Sequence, residues 1–238
     1  MDARAAARDE GSEPDAATSE PLTARGVRTR ARLLVAARQV FEEHGFHDAR
    51  VTDISKAAEV AHGTFYTYFD SKEDVFRHVL KAMQHEMHAV RSPAPPGMSP
   101  ADRIAHANRG FFEAYRRNVR MMAVLEQVAS FDDDLHDLRR EMRALANLRS
   151  SRAIARWQAD GLVDPELDAR YVASALGSMV DRSLYVWLVL GEPFDEEIAL
   201  HTLNVMCIRA LGLEPSPVPA TEPSSRRGRS GPGASTSG

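Results

Sequence analysis

The tightest constraint on this chain lies between Val51 and Lys72, VTDISKAAEVAHGTFYTYFDSK. Val51, Ile54, Ala58 and Val60 recur at helical intervals, which predicts a short helix from Val51 to about Ala58 with that face turned inward. Ala57 and Ala58 are small enough for a second helix to approach closely. The pattern then changes. From His62 to Phe69 only Phe65 and Phe69, four apart, can anchor a second short helix. Its remaining positions, His62, Gly63, Thr64, Tyr66, Thr67 and Tyr68, are small, hydroxyl-bearing or aromatic with a polar tip. Such an outer face suits a groove lined by phosphates. Hydroxyls bond phosphate oxygens or base edges, and a glycine lets two backbones come close. Two short helices in this order, the second offered to the major groove, have the layout of a helix-turn-helix.

Flanking segments supply the frame. Val27, Ala31, Leu34, Val35, Val40 and Phe41 predict an amphipathic helix from about Thr23 to His44, with Gly45 as its left-handed cap. After Phe69, Ser71 and Asp74 form a variant of the capping box and open a further helix. It runs through Val75, Phe76, Val79, Leu80, Met83 and Met87 to about Val90. Arg91 to Pro100, RSPAPPGMSP, breaks it.

A family resemblance enters on these residues. GFHDARVTDISKAAEVAHGTFYTYFDSKEDVF, residues 45–76, resembles the DNA-binding domain of TetR-type (tetracycline-repressor-like) transcriptional regulators. Gly63 to Phe76, GTFYTYFDSKEDVF, fills almost every slot of that family's pattern. Three positions depart from it: Glu59 stands where the turn usually has Gly, Ala61 where Ser or Thr usually caps the second helix, and Ala49 where a capping Thr is common. A residue with a β-carbon is strained at Glu59 if the turn needs positive φ, and Ala61 costs its helix about 1 kcal/mol of capping.

The resemblance implies an all-α fold of about nine helices. It implies an N-terminal three-helix DNA-binding domain over residues 23–82 and a larger helical ligand-binding and dimerisation domain over 83–212. It further implies a homodimer on a palindromic double-stranded DNA operator, acting as a repressor that a small apolar or amphipathic effector releases. An activator, or a constitutive DNA-binding dimer without a ligand, remains the alternative. The DNA contacts implied are Arg28, Arg50, Thr52, His62, Gly63, Thr64, Tyr66, Thr67, Tyr68 and Lys72.

Charge at first opposes a nucleic-acid partner, since the 238 residues carry a formal net charge of −4. Local charge decides affinity, however, and Arg25, Arg28, Arg30, Arg32 and Arg38 sit in a stretch without an acid. Residues 1–22 read as a disordered arm whose basic end can follow DNA, or equally as a solvated charge run. Residues 213–238, rich in Pro, Ser, Gly and Arg, read as a disordered tail. No apolar run is long enough to span a bilayer, the first residues lack a signal-peptide core, and a single cysteine, Cys207, excludes a disulfide framework. These features predict a cytoplasmic protein without a membrane partner.

From Ala101 to Gly212 the sequence reads as helices. Helices five to seven are expected at Ala101 to Arg117, Val119 to Ser130, and from Asp132–Asp134 to Ala159. The eighth is expected from Asp164–Pro165 to Gly191 and the ninth from Pro193 to Gly212. Ala173, Ser174, Ala175, Gly177 and Ser178 make the last two helices suitable for a four-helix dimer contact. Phe111, Phe112, Tyr115, Met122, Leu125, Trp157, Met179 and Trp187 are the candidate lining of an apolar ligand pocket, each also explicable as ordinary core. Asp181 and Arg182 mark either its polar end or a dimer ion pair. His78, His85 and His88, and the acidic Asp132–Asp134, suggest no metal site without further ligands. No catalytic motif, nucleotide loop or cofactor signature is present, so neither an enzyme nor a cofactor is expected.

Overall fold

The computed structural model describes residues 23–89, 95–128 and 133–214, and among these every regular element is helical. In order they are α1 (Ala24–Asp48), α2 (Val51–Ala57), α3 (His62–Phe65), α4 (Lys72–Ala89), α5 (Pro100–Arg117), α6 (Val119–Val128), α7 (Asp133–Ala159), α8 (Ala169–Leu184), a π-helical turn (Tyr185–Val189) and α9 (Glu196–Ala210). The chain divides into two compact units between Met83 and Gln84. Both expected disordered termini lie outside the described residues, except Leu213 and Glu214, and so do Val90 and residues 91–94 of the Pro-rich break.

The first unit is built on α1. Thr23 caps it, its Oγ1 accepting from the Gly26 N–H at 3.2 Å. Leu33, Ala36, Ala37, Val40 and Phe41 form its buried stripe. Val27 and Val35, which the sequence reading turned inward, face solvent instead, Val35 being 71% exposed. The reason is angular. At about 100° per residue, Val35 lies some 200° from Leu33 and so nearly opposite it, and apolar character alone does not identify the inner face. Gly45 breaks the helical path at φ 73°, ψ 173°, after which one further turn leads to Asp48. That turn places Phe46 beside Phe76 at 4.8 Å, and Phe76 packs edge-on against Phe41 at 4.8 Å. Ile54, Phe65 and Phe69 complete this core. The capping pattern at Ser71 forms: its Oγ accepts from the Asp74 N–H at 3.1 Å, and the Asp74 carboxylate accepts from the Asp70 N–H at 3.2 Å.

In the second unit α7 packs chiefly on α8 and α5 on α9. Ser99 and Pro100 start α5, the Ser99 Oγ accepting from the Asp102 N–H. Helix α8 begins later than expected. Asp164–Pro165 form a turn, and Asp168 is the cap, accepting from Arg170 and Tyr171 N–H groups. Helix α9 likewise starts at Glu196 rather than Pro193, because the Asp195 carboxylate accepts from Ile198 N–H at 2.9 Å. In both places an Asp that satisfies a free N–H group overrides the proline signal. Leu145 and Leu148 of α7 are half-exposed. Leu213, assigned above to the tail, packs against the cluster of Ile154, Val163, Ala173 and Leu211.

Candidate nucleic-acid interface and ligand cavity

In the first unit α2 and α3 are joined by a turn whose tightest residue is Glu59, at φ 52°. This is left-handed backbone, so the departure from Gly seen in the sequence carries real strain. Arg32 offsets it. Its guanidinium donates to the carbonyls of Ala58 and Glu59, the latter at 3.2 Å, and lies 3.9 Å from the Glu59 carboxylate. The basic stretch Arg25–Arg32 belongs to α1. Arg30 lies over the Phe69 ring at 5.1 Å, while Arg25 and Arg28 point to solvent.

Regular α-helix covers only His62–Phe65, and tighter turns carry the coil on to Phe69, with Tyr68 N–H donating to the Phe65 carbonyl at 3.0 Å. Ala61 stands at its N-cap without a side-chain bond, as the missing hydroxyl requires. Phe65 and Phe69 are buried, so the opposite face looks outward. His62, Gly63, Tyr66 and Thr67 are exposed there, while Thr64 and Tyr68 are half-buried. His62 and Phe65 each meet the Tyr66 ring edge-on, at 5.4 and 5.3 Å. Gly63 has ordinary helical backbone, and a β-carbon built on it would meet nothing within 4 Å. The fold itself does not need a glycine there. Arg50 and Thr52 are exposed at the start of α2, where free N–H groups favour an anion. Lys72 is more engaged than expected. Its Nζ donates to the carbonyls of Phe46 and His47 at 2.9 and 3.1 Å and lies 4.7 Å from the Phe46 ring. The ammonium thus ties α4 to the end of α1.

The second unit holds a cavity of about 780 Å³. Of the apolar candidates, Phe111, Met122 and Trp157 line it. Phe112, Tyr115 and Leu125 do not; they are buried as core. Met179 and Trp187 are also absent from its wall, and Trp187 stacks instead on Phe194 at 5.4 Å. Asp181, a candidate polar end, lines it, but the rest of its charged wall escaped sequence reasoning: Arg103, Arg139, Arg143, Arg149, Arg156 and Asp160. On α7 Arg139 and Arg143 fall at helical spacing, as do Arg149, Arg156 and, just past its end, Asp160, a signal masked by the general polarity of that helix.

A buried ion network closes one side. Arg139, 8% exposed, donates to Glu126 of α6 at 2.7 Å and to Asp181 of α8 at 2.9 Å, and Arg143 reaches Asp181 at 3.2 Å. Burial works against the Arg139 charge, but Asp181 and Glu126 outweigh it, holding its pKa above the ordinary arginine value. Asp181 therefore belongs to the cavity wall, whereas Arg182 lies over the Tyr185 ring at 4.5 Å. Below this network the Tyr115 hydroxyl is buried without a hydrogen-bond partner, and burial first, then Asp181, raises its pKa. Cys207 also faces the cavity; burial raises its thiol pKa, opposed by the Asn108 amide 3.9 Å away. Among the described residues no three His, Cys, Asp or Glu side chains gather to hold a metal, and the side chains of His88, Asp133 and Asp134 lie outside them.

Residues 33–79 match the family model of bacterial regulatory proteins, tetR family. That segment carries the DNA-binding domain of this family. The chain is 25% identical over 180 residues to the HTH-type transcriptional regulator TtgR of Pseudomonas putida, covering 70% of this chain and 83% of that one. In fold it is similar to the fatty acid degradation regulator FadR of Bacillus halodurans, with a TM-score of 0.65, 22% identity, and 75% and 94% of the two chains covered. It is also similar to FadR of Bacillus subtilis in complex with stearoyl-CoA, with a TM-score of 0.64, 19% identity, and 74% and 96% covered. The matched segment is a DNA-binding helix-turn-helix, and the relatives and fold neighbours are transcriptional regulators rather than enzymes. No helix among the described residues of this chain is long and apolar enough to cross a membrane.

Proposed function

We propose that this regulator is a repressor that binds a palindromic operator as a homodimer and leaves it when a small amphipathic ligand fills the cavity of the second unit. One observation carries the reading. Helix α4 begins at Lys72, whose ammonium is tied to the end of α1, and its later turns place Gln84 and Met87 in the cavity wall. A ligand touching those two residues touches the helix that starts in the DNA-binding unit. It needs only different affinities for two positions of that helix to shift DNA binding.

The DNA contacts assigned to this reading are Arg28, Arg50, Thr52, His62, Gly63, Thr64, Tyr66, Thr67 and Tyr68. Lys72 keeps a donor for phosphate beyond its two carbonyl bonds. The dimer is supported by uncovered stripes on the last two helices. Tyr171, Ala175, Ser178 and Arg182 are exposed at i, i+4, i+7 and i+11 of α8, Tyr171 to 75%. Ile198, Thr202 and Met206 repeat the pattern on α9. A two-fold pair of recognition helices reads two half-sites, which multiplies specificity. That the fold neighbour FadR of Bacillus subtilis is in complex with stearoyl-CoA supports a ligand-binding reading of the second unit.

The test is a titration of the full chain on DNA from upstream of its own gene at two salt concentrations, with sedimentation of the free protein. Two protomers per site and a steep salt dependence are expected. A monomer at micromolar concentration would overturn the dimer. An operator complex indifferent to every ligand that binds the cavity would overturn release.

A further inference from the structure

We propose that the cavity takes an amphipathic acid, an apolar chain or ring body ending in an anionic group that Arg103 and Arg156 receive. The proposal rests on the reading of this cavity as the effector site and names the chemistry of its ligand.

The first argument is charge. The whole chain has more acids than bases, 34 against 30. The cavity wall reverses this, with five arginines against Asp160 and Asp181. The cationic excess is therefore local to the cavity and not inherited from composition.

The second argument is which of these charges are already matched. Arg139 and Arg143 are committed to Asp181, and Arg139 also to Glu126. Arg103 uses only its Nε, which donates to the Met98 carbonyl at 3.2 Å. Among the described residues neither Arg103 nor Arg156 has a carboxylate partner. Arg156 is exposed and Arg103 half-buried although both line the cavity, which places them where it opens to water.

The third argument is shape. Ser150 and Ala153 share the cavity-facing side of α7 with Arg156. Small side chains there leave a floor, and the backbone of Arg156 lies one turn on, about 4.5 Å along the helix axis from that of Ala153 at about 1.5 Å per residue. Ile104 and Trp157, each next in sequence to one of the two arginines, pack with Leu176 over the Ile154 cluster and offer the apolar body its surface. An anion meeting two guanidinium groups makes charge-assisted hydrogen bonds, whereas a neutral ligand of the same body displaces water from them without replacement.

The experiment uses the full chain without DNA, titrated by calorimetry with matched pairs of probes. These are decanoate against 1-decanol, 2-naphthoate against 2-naphthylmethanol, and decyl phosphate to separate a carboxylate from a phosphate preference. At least one acid is expected to bind about tenfold or more tightly than its alcohol. The Arg103→Gln/Arg156→Gln double variant is expected to lose that preference while binding the alcohol as before, with unchanged circular dichroism. Phe111→Ala is expected to weaken acid and alcohol together. Alcohols that bind as well as their acids, acids that do not bind at all, or a double variant that keeps the preference would each overturn the proposal. Failure of the effector reading looks different: the acid binds, and the operator complex ignores it.

Discussion

Glu59 offers a direct test of how the helix-turn-helix is held. Its φ of 52° places a β-carbon against the following carbonyl, a conflict of about 1–2 kcal/mol for a residue other than Gly. Glu59→Gly removes that conflict but gives back about 0.5–1 kcal/mol through the greater freedom of glycine in the unfolded chain. The Glu59 carboxylate is 89% exposed and 3.9 Å from Arg32, so its loss subtracts little. The Arg32 bonds to the Ala58 and Glu59 carbonyls are to backbone and survive the substitution. The net expectation is a gain of about 0.5–1 kcal/mol. Glu59→Ala is the control, since it also removes the ion pair but keeps the β-carbon. Urea unfolding followed by circular dichroism should therefore rank Gly above Ala by about 1 kcal/mol. Operator affinity should be unchanged in both. If the Ala variant were as stable as the Gly variant, the turn would not be held in left-handed backbone and the role given to Arg32 would fail with it.

Gly63→Ala should leave the melting temperature unchanged or slightly higher, because its β-carbon meets nothing, yet weaken operator binding about tenfold or more in a mobility-shift titration. Unchanged binding would remove Gly63 from the interface. Lys72→Ala should lower stability as well as DNA affinity, since two carbonyls and the Phe46 ring lose their cation. Effects on DNA alone would contradict that bracing role. Tyr115→Phe should be neutral or stabilising, because the hydroxyl it deletes is buried without a partner. With its pKa raised in the fold, Tyr115 contributes stability that is complete below the ordinary tyrosine pKa of about 10 and fades as pH rises above it, so the variant should lose part of the alkaline decline in melting temperature.

What the sequence made legible follows from how local each signal is. Phe65 and Phe69 fix which side of the second short helix is buried, and the outward set His62, Gly63, Tyr66 and Thr67 follows from those two residues alone. The capping pair Ser71 and Asp74 is read three residues apart and forms as written. The role of Lys72 was only half visible, because its carbonyl partners lie some 25 residues earlier. Arg32 and the turn at Glu59 are equally distant in the chain. The cavity was the least legible part for the same reason. Large apolar side chains were assigned to it by size, but size also suits the core, and Phe112, Tyr115 and Leu125 went there. A cavity differs from a core in being able to keep charged groups hydrated or paired, so polar residues on an inward helical face mark it better than aromatic ones. Arg139, buried on α7 and paired with Glu126 and Asp181, is that mark. Within this wall Arg139 and Asp181 supply fixed, mutually satisfied charge, while Arg103 and Arg156 remain for what enters. The proposed acid with an apolar body is one kind of the small apolar or amphipathic effector expected from the sequence.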